Sequence, residues 1–167
     1  EFRRVLFRSM NEGEICQEDS AQNIYNHPGS LFVAGFFGTP RMNLSIAKVT
    51  EENGSVVLKF SSGTIPLSEK KGKLLRELGY VGKEVFTGVR PDKVAPAKNG
   101  ENGEITGELI GGEEIDDAPY IRFRVGENEF LAKAEGGENL TGKKMYFKIS
   151  GDNVYLFDKE TEKIIAE

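Results

Sequence analysis

The chain has 167 residues, a formal net charge of -5 and a single cysteine, Cys16. This length holds one ordinary domain with a true core, or one domain plus a fragment of another, and the acidic balance makes the chain a poor binder of polyanions. A single cysteine excludes a disulfide framework and a CxxC metal site and fits a reducing cytosol, while no apolar run approaches the roughly 18 residues that span a bilayer, so we expect a soluble or at most peripheral protein.

The first nine residues, Glu1–Ser9, share neither composition nor pattern with the rest of the chain. They resemble the translation of a sequencing-library adapter, and we exclude residues 1–9 from fold reasoning as a non-native leader. Their three arginines leave a second interpretation open, a basic arm for nucleic acid or a membrane surface.

A short amphipathic turn and an apolar run follow one another between residues 20 and 40. Ser20 is placed to cap a short helix, and Pro28 stops that helix because proline lacks a backbone donor. The next segment, Leu31–Phe36, is too apolar to lie free in water, and Gly38-Thr39-Pro40 ends it. We therefore expect a connector that docks on another part of the protein.

From Leu44 onward the pattern changes to short segments with a period near two, separated by Gly and Asn turns, which is typical of a small antiparallel barrel or sandwich. A first hairpin is predicted about Asn53-Gly54, since both residues tolerate positive φ. Lys98–Gly103 is predicted to be a flexible loop. Later strands are predicted at Val85–Val89, Ile105–Ile110, Tyr120–Val125, Glu129–Ala134, Met145–Ile149 and Val154–Phe157.

One convincing helix interrupts these strands. Ser68 is its predicted start and Gly79 its C-terminal break. Its apolar side is predicted to consist of Leu74, Leu75 and Leu78.

Two strand regions look like copies of each other. Val81–Val94 aligns without gaps on Thr141–Val154 at a constant offset of 60 positions, as between Gly82 and Gly142. The alignment indicates either a barrel assembled from two related pieces or a coincidence, because short Gly-Lys-apolar repeats are common in β proteins.

Several of these segments together resemble the end of the ATP-binding subunit of ABC importers for sugars, the maltose-transporter type. The match in the strand and first helix consists of Met10, Asn11, Gly13, Ile15, Gln17, Ile24, Tyr25 and Pro28. The match in the apolar segment consists of Phe32, Val33, Ala34, Phe36, Gly38, Pro40, Met42 and Asn43. Further on, Gly88–Asp92 and Val154–Thr161 resemble two segments of the family's transport-associated OB-fold domain. The departures are Glu18-Asp19, Phe37, Tyr155 (a His in the family) and Glu162 (a Gly in the family).

The resemblance covers Met10–Glu167 and implies a mainly β fold: an OB-like antiparallel barrel with one helix at residues 43–167, preceded at 10–42 by a strand-helix remnant of an α/β nucleotide-binding domain. It implies a C-terminal fragment with a regulatory or dimerisation role, in a subunit whose missing N-terminal domain binds ATP and Mg²⁺. The implied partners are a second copy, membrane-spanning permease subunits and a regulatory protein, with no nucleic acid. The implied location is the cytoplasmic, inner face of the cell membrane.

A phosphate-binding motif is mimicked by Gly137–Lys143, which satisfies Gly-x4-Gly-Lys. Lys144 stands where Ser or Thr would ligate Mg²⁺, and Met145–Ile149 reads as a strand, so no helix N-terminus would face a phosphate. We interpret the segment as a turn with solvated lysines. Accordingly, we assign no catalytic, cofactor-binding or metal-binding residue to this chain and expect it to be inactive as an ATPase on its own.

Three other candidate sites receive structural interpretations. Glu113–Asp117 lacks the alternating ligands and turn Gly of a hard-cation loop and is predicted to be a solvated loop. His27 is predicted to be a surface residue and not a general base. Tyr120, Arg122 and Arg124 alternate with apolar residues; such a face on an OB barrel can bind a single strand, but the acidic charge favours a polar outer face.

An alternative from a different class stays open, a free-standing OB-like module that binds a small oxyanion or nucleic acid.

A further expectation concerns solubility. If residues 10–37 are orphaned from a missing sheet, deleting them should improve monodispersity, because an unpaired strand and an apolar helix expose adhesive surface.

Overall fold

A computed structural model of the chain describes residues 6–97, 104–134 and 144–167. Within these ranges the chain is mainly β, which confirms the predicted fold class. The helices are α1 (Ala21–Asn26), α2 (Leu31–Phe36) and α3 (Glu69–Glu77), with two single 3-10 turns at Pro91–Lys93 and Gly151–Asn153. The strands are β1 (Phe7–Asn11), β2 (Glu14–Asp19), β3 (Asn43–Glu52), β4 (Ser55–Phe60), β5 (Gly63–Pro66), β6 (Glu84–Val89), β7 (Val94–Ala97), β8 (Glu104–Ile115), β9 (Ala118–Val125), β10 (Asn128–Lys133), β11 (Lys144–Ile149), β12 (Val154–Asp158) and β13 (Ile164–Ala166).

Eleven of these strands form one antiparallel sheet that wraps around the main core. Its path runs β10-β9-β8-β5-β4-β3-β6-β12-β13, with β11 pairing with β7 and β8. Along each strand, side chains point alternately inward and outward, and the inward ones bring the largest buried side chains together. Among these are Leu58, Phe123, Phe147 and Leu156, all fully buried. Three strands were not predicted, namely β5, β7 and β13, because each has only three or four residues.

The hairpin predicted about Asn53-Gly54 is present and joins β3 to β4, with φ values of 51° and 78°. Both residues adopt the left-handed conformation that a two-residue hairpin turn requires. The turn residues alone were sufficient to predict this hairpin, because the register of a short hairpin is set by its turn.

The strands β1 and β2 form a separate two-stranded hairpin, residues 7–19. Phe7–Ser9, which we excluded as a leader, pair with Gln17–Asp19. The physical reason is the tight turn at Glu12-Gly13, both at positive φ, which brings any preceding extended residues alongside β2. Residues 7–9 therefore belong to a strand, whereas the interpretation of residues 1–9 as a non-native leader concerns their origin and stays a prediction.

Helix α3 begins after Ser68 and ends before Gly79, which lies at φ 70°, as predicted. The prediction of its apolar side was partly wrong. Leu78 is 52% exposed, while Lys71 and Gly72 are buried beside Leu75. A Cβ on Gly72 would lie 3.3 Å from the side chain of Val56, so the glycine lets the helix approach β4 closely.

The repeat seen in the sequence corresponds to a repeated structure. In each copy a strand is followed by a 3-10 turn and a second strand, β6 to β7 and β11 to β12, again at an offset of 60 positions. The copies exchange strands reciprocally: Val89 of β6 faces Val154 of β12, and Ile149 of β11 faces Val94 of β7. Reciprocal pairing in matching register favours two related pieces over coincidence.

The acidic cluster Glu113–Asp117 is only partly a loop, contrary to prediction. Strand β8 continues to Ile115, and Asp116-Asp117, at φ 50° and 59°, form the tight turn into β9. Charged side chains on an exposed strand are compatible with pairing when the neighbouring strand supplies counter-charges, as β9 does here. Across the three described ranges, no helix has the length and apolar character needed to cross a membrane.

Candidate functional site

The docked segment, residues 20–37, lies against the outer face of the large sheet. Ala34 of α2 packs with Met42 and Phe157 in a second buried cluster, to which Leu31 and Leu44 contribute. The backbone continues this contact, since Leu31 N donates to Glu162 O (2.9 Å) and Ile164 N donates to Gly29 O (3.2 Å). The expectation that the apolar connector docks on another part of the protein is confirmed.

Arg90 connects the docked segment to the sheet. It is 3% exposed, and its guanidinium donates to the carbonyl oxygens of Tyr25 (2.7 Å), Phe37 (2.5 Å) and Ala34 (3.4 Å). These carbonyls belong to the C-terminal ends of α1 and α2, where a cation also meets the negative ends of the helix dipoles. The guanidinium lies 3.9 Å from the centre of the Tyr25 ring. Burial lowers the pKa of Arg90, yet an arginine remains charged in proteins.

A glycine makes this arrangement possible. Gly38 lies at φ 117°, and a Cβ at this position would approach Nη1 of Arg90 to 2.9 Å. A larger residue would be strained and would displace the guanidinium.

A second buried cation, Lys71, holds the second 3-10 turn from behind. Its Nζ donates to the carbonyl oxygens of Gly151 (3.0 Å), Asp152 (2.9 Å) and Val154 (2.8 Å). Burial lowers the pKa of Lys71 to about 8, although the Asp152 carboxylate acts in the opposite direction. Three accepting carbonyls favour the ammonium form, so Lys71 is protonated at neutral pH.

The two 3-10 turns face each other across a polar pocket of about 770 Å³, which we call the junction pocket. The docked segment supplies one wall, and the related turns supply the others. Asp92 and Asp152 occupy equivalent positions of the repeat on either side. The main lining side chains are Tyr25, Asn26, Asp92, Asp152, Asn153 and Tyr155.

Charges around the junction pocket are mostly paired. His27 Nδ1 lies 2.6 Å from Glu167 Oε1, and Lys93 Nζ lies 3.2 Å from Asp92 Oδ2. The Tyr155 hydroxyl, where the resembled family has His, donates to Asn26 O (3.0 Å), and burial raises the pKa of Tyr155. The Tyr155 hydroxyl therefore bonds the docked segment directly.

The predicted surface position of His27 is confirmed, since its side chain is 62% exposed. The interpretation of Tyr120 as part of a polar outer face is wrong, because Tyr120 is only 9% exposed. Burial and the Asp92 carboxylate raise the pKa of Tyr120.

The basic face of β9 is neutralised by the protein itself. Arg122 donates to Glu113 (2.8 Å) and to Glu129 (3.2 Å), and Arg124 lies 3.7 Å from Glu129. Arginines already paired with carboxylates offer little attraction for a phosphate backbone. The arrangement supports the outer-face interpretation of these two arginines.

The phosphate-loop mimic Gly137–Lys143 and the loop predicted at Lys98–Gly103 lie outside the described residues. The strand predicted at Met145–Ile149 is present as β11, which begins one residue earlier at Lys144. Among the described residues, no group of His, Cys, Asp and Glu side chains is arranged to hold a metal ion.

Sequence reasoning missed the roles of Arg90 and Lys71. Arg90 was identified only as part of a resembled segment, and nothing local predicts that its partners lie more than 50 residues earlier. For Lys71 a signal existed in the neighbouring Gly72, since a glycine inside a helix often marks a close approach and therefore the buried face.

The family model described as the MalK OB fold domain matches residues 38–94. This range begins at the glycine beside Arg90 and includes the first 3-10 turn.

Several relatives match nearly the whole chain. The trehalose/maltose import ATP-binding protein MalK of Thermococcus litoralis is 33% identical over 168 residues, which cover 93% of this chain and 43% of the relative. The oligosaccharides import ATP-binding protein MsmX of Bacillus subtilis is 29% identical over 158 residues, 92% of this chain and 42% of the relative. The uncharacterized ABC transporter ATP-binding protein YurJ of Bacillus subtilis is 31% identical over 166 residues, 93% of this chain and 44% of the relative.

The chain thus spans about two fifths of the length of the curated relatives it matches. The resemblance inferred from the residues is confirmed: residues 38–94 match an OB-fold domain of the MalK type, and the relatives include import ATP-binding proteins for trehalose/maltose and for oligosaccharides.

Proposed function

We propose that this chain is the C-terminal part of the ATP-binding subunit of an ABC transporter that imports carbohydrates, and that it has a regulatory and dimerisation role. In this proposal ATP and Mg²⁺ bind to a preceding domain of the subunit. The partners are a second copy of the subunit, membrane-spanning permease subunits that contact the preceding domain, and a regulatory protein. The subunit lies on the cytoplasmic face of the membrane.

The main support is the continuity of the docked segment with the sheet. Similarity to the ATP-binding relatives covers 92 to 93% of the chain, so it includes both the docked segment and the strands. Arg90 and Tyr155 bind backbone carbonyls of the docked segment, at Tyr25 O and Asn26 O. A regulatory domain attached in this way moves together with the chain that enters it, which suits the transmission of a signal to a preceding ATPase domain.

A chimera tests the proposal. Residues 10–167 replace the matching C-terminal part of MsmX, and the chimera is expressed in a strain that lacks MsmX and is grown on an oligosaccharide. We expect growth to be restored, because the matched segments should assemble on the same preceding domain. A chimera that accumulates and hydrolyses ATP but supports no growth would contradict the proposal.

The purified chain provides a second test. It should show no magnesium-dependent ATP hydrolysis, since we assign no catalytic residue to it. It should also fail to bind single-stranded oligonucleotides at physiological salt. Salt-sensitive oligonucleotide binding would favour the alternative of a free-standing OB-like binding module.

A further inference from the structure

We propose that the junction pocket binds a neutral polyhydroxylated small molecule, a sugar or polyol. The volume of about 770 Å³ lies within the usual range of ligand pockets, roughly 300 to 1,000 Å³, and is sufficient for a disaccharide. The pocket also lies between two packed parts of the protein, a common location for ligand sites.

Unused hydrogen-bonding groups line this pocket. The side chains of Asn26, Asn153, Lys70 and Asp152 form no hydrogen bond or ion pair with other residues in the described part of the chain. Together they offer amide and ammonium donors and amide and carboxylate acceptors. A hydroxyl group both donates and accepts, so a ligand carrying several hydroxyls matches this mixture better than a ligand with acceptors only.

The charge of the pocket is balanced. The pocket is lined by three cationic side chains and three anionic ones. The cations are Lys70, Arg90 and Lys93, and the anions are Asp92, Asp152 and Glu167. Arg90 is already bound to carbonyl oxygens. The two lining charges without a side-chain hydrogen bond or ion pair among the described residues, Lys70 and Asp152, have opposite signs. A phosphate or a simple cation would meet like charge as well as opposite charge, whereas a neutral ligand would meet no net repulsion.

Two aromatic rings complete the site. Tyr25 and Tyr155 line the pocket beside the polar groups, and the Arg90 guanidinium lies over one face of the Tyr25 ring. The less polar C–H face of a sugar ring can pack on an aromatic ring while its hydroxyls reach the amides and charged groups. Arg90 holds the Tyr25 ring and Lys71 holds the second 3-10 turn, so the walls are positioned before a ligand arrives.

Binding here would bias how the docked segment sits on the sheet, because the docked segment and the turns of the sheet each supply part of the pocket wall. A ligand that prefers one arrangement shifts the equilibrium toward it. Only this regulatory consequence rests on the proposed function, whereas binding itself does not.

Calorimetric titration of the purified full chain tests the inference. The probes are maltose, trehalose, glucose and glycerol, with inorganic phosphate as the ionic comparator. We expect saturable binding of at least one disaccharide, with a Kd on the order of 1 mM, and weaker binding of phosphate. The absence of saturable binding for all four neutral probes, or tighter binding of phosphate, would overturn the inference.

Two pocket variants locate the site. Lys70→Ala removes an exposed side chain, and Asn153→Ala removes an amide; each should weaken disaccharide binding about tenfold, the effect of losing roughly one good hydrogen bond to a polar ligand. Lys59→Ala, an exposed lysine on β4 that does not line the pocket, is the matched control and should bind as the parent does. Unchanged binding in both folded pocket variants would overturn the inference. Growth of the chimera together with absent sugar binding would refute the pocket inference and leave the proposed function intact.

Discussion

The docked segment (residues 20–37) and the β1–β2 hairpin (residues 7–19, here called the hairpin) are consecutive in sequence, but their contacts with the rest of the protein are entirely different. In the docked segment Ile24, Val33 and Ala34 are fully buried, and Arg90 binds three of its carbonyls. In the hairpin Ser9 alone is buried. The difference shows that an apolar composition does not by itself indicate an orphaned segment; a complementary buried surface decides.

The hairpin is attached through few contacts. Gln17 binds the backbone at His27 O and Gly29 N, both at 2.9 Å, and Arg8 pairs with Glu18 within the hairpin. Its exposed apolar side chains are Phe7, Met10 and Ile15, and Leu6 just before it is also exposed. The expectation that residues 10–37 are orphaned as a unit is therefore wrong for residues 20–37, which pack on the sheet. For the remaining residues 10–19 it stays a prediction.

Truncation gives the largest expected effect. Removing residues 1–19 should leave stability nearly unchanged and improve monodispersity, because exposed strand edges are lost. Removing residues 1–37 should cost several kcal/mol and cause aggregation, because Met42, Phe157 and Leu44 become exposed. Urea unfolding and light scattering compare the two variants. Equal behaviour of both would contradict the distinction between hairpin and docked segment.

Replacing one arginine in each region gives the next largest effect. Arg90→Ala leaves buried carbonyls at Tyr25, Ala34 and Phe37 without their donor and should cost about 3 kcal/mol. Arg8→Ala removes an exposed pair and should change stability by less than about 0.5 kcal/mol. The measurement is urea unfolding of each variant beside the parent. Similar losses for the two variants would show that Arg90 does not anchor the docked segment.

The pH dependence of stability tests the wall that Lys71 supports. Its pKa is lowered to about 8 by burial, so between pH 8 and its unfolded value the unfolded chain binds more protons. The contribution of Lys71 to stability should therefore rise with pH in that window, by about 1 to 2 kcal/mol from pH 7 to 9.5. The free energy of unfolding of the parent minus that of Lys71→Met isolates this contribution. If this difference fell as pH rose, the pKa of Lys71 would be raised by folding and the prediction would be wrong.

The smallest expected effect compares two glutamates that share a strained conformation. Glu162, where the resembled family has Gly, lies at φ 56° and its carbonyl accepts from Leu31 N of the docked segment; Glu12 lies at φ 49° in the hairpin turn. Glu162→Gly should stabilise the protein by about 0.5 to 1 kcal/mol, since glycine adopts positive φ without steric cost. Glu12→Gly should leave global unfolding unchanged, because the hairpin opens independently. Thermal unfolding measures both, and a gain in the hairpin variant would show that it unfolds together with the sheet.

Local rules explain the predictions that succeeded. The turn at Asn53-Gly54 and the limits of α3 at Ser68 and Gly79 depend on residues within a few positions of one another. Where a feature depended on packing, prediction failed, as with the exposed Leu78 and the buried Tyr120. A period in the sequence gives the direction of a side chain but not what covers it.

By itself, the sequence determined the mainly β fold, the first hairpin, the helix limits, the repeat, and the resemblance to the end of an ATP-binding importer subunit. Tertiary structure alone decided which apolar segment is anchored and where the junction pocket forms. The physical reason is sequence separation: Tyr25 meets Arg90 across 65 positions and His27 meets Glu167 across 140. Contacts at such distances arise only when the sheet closes and its two related turns come face to face.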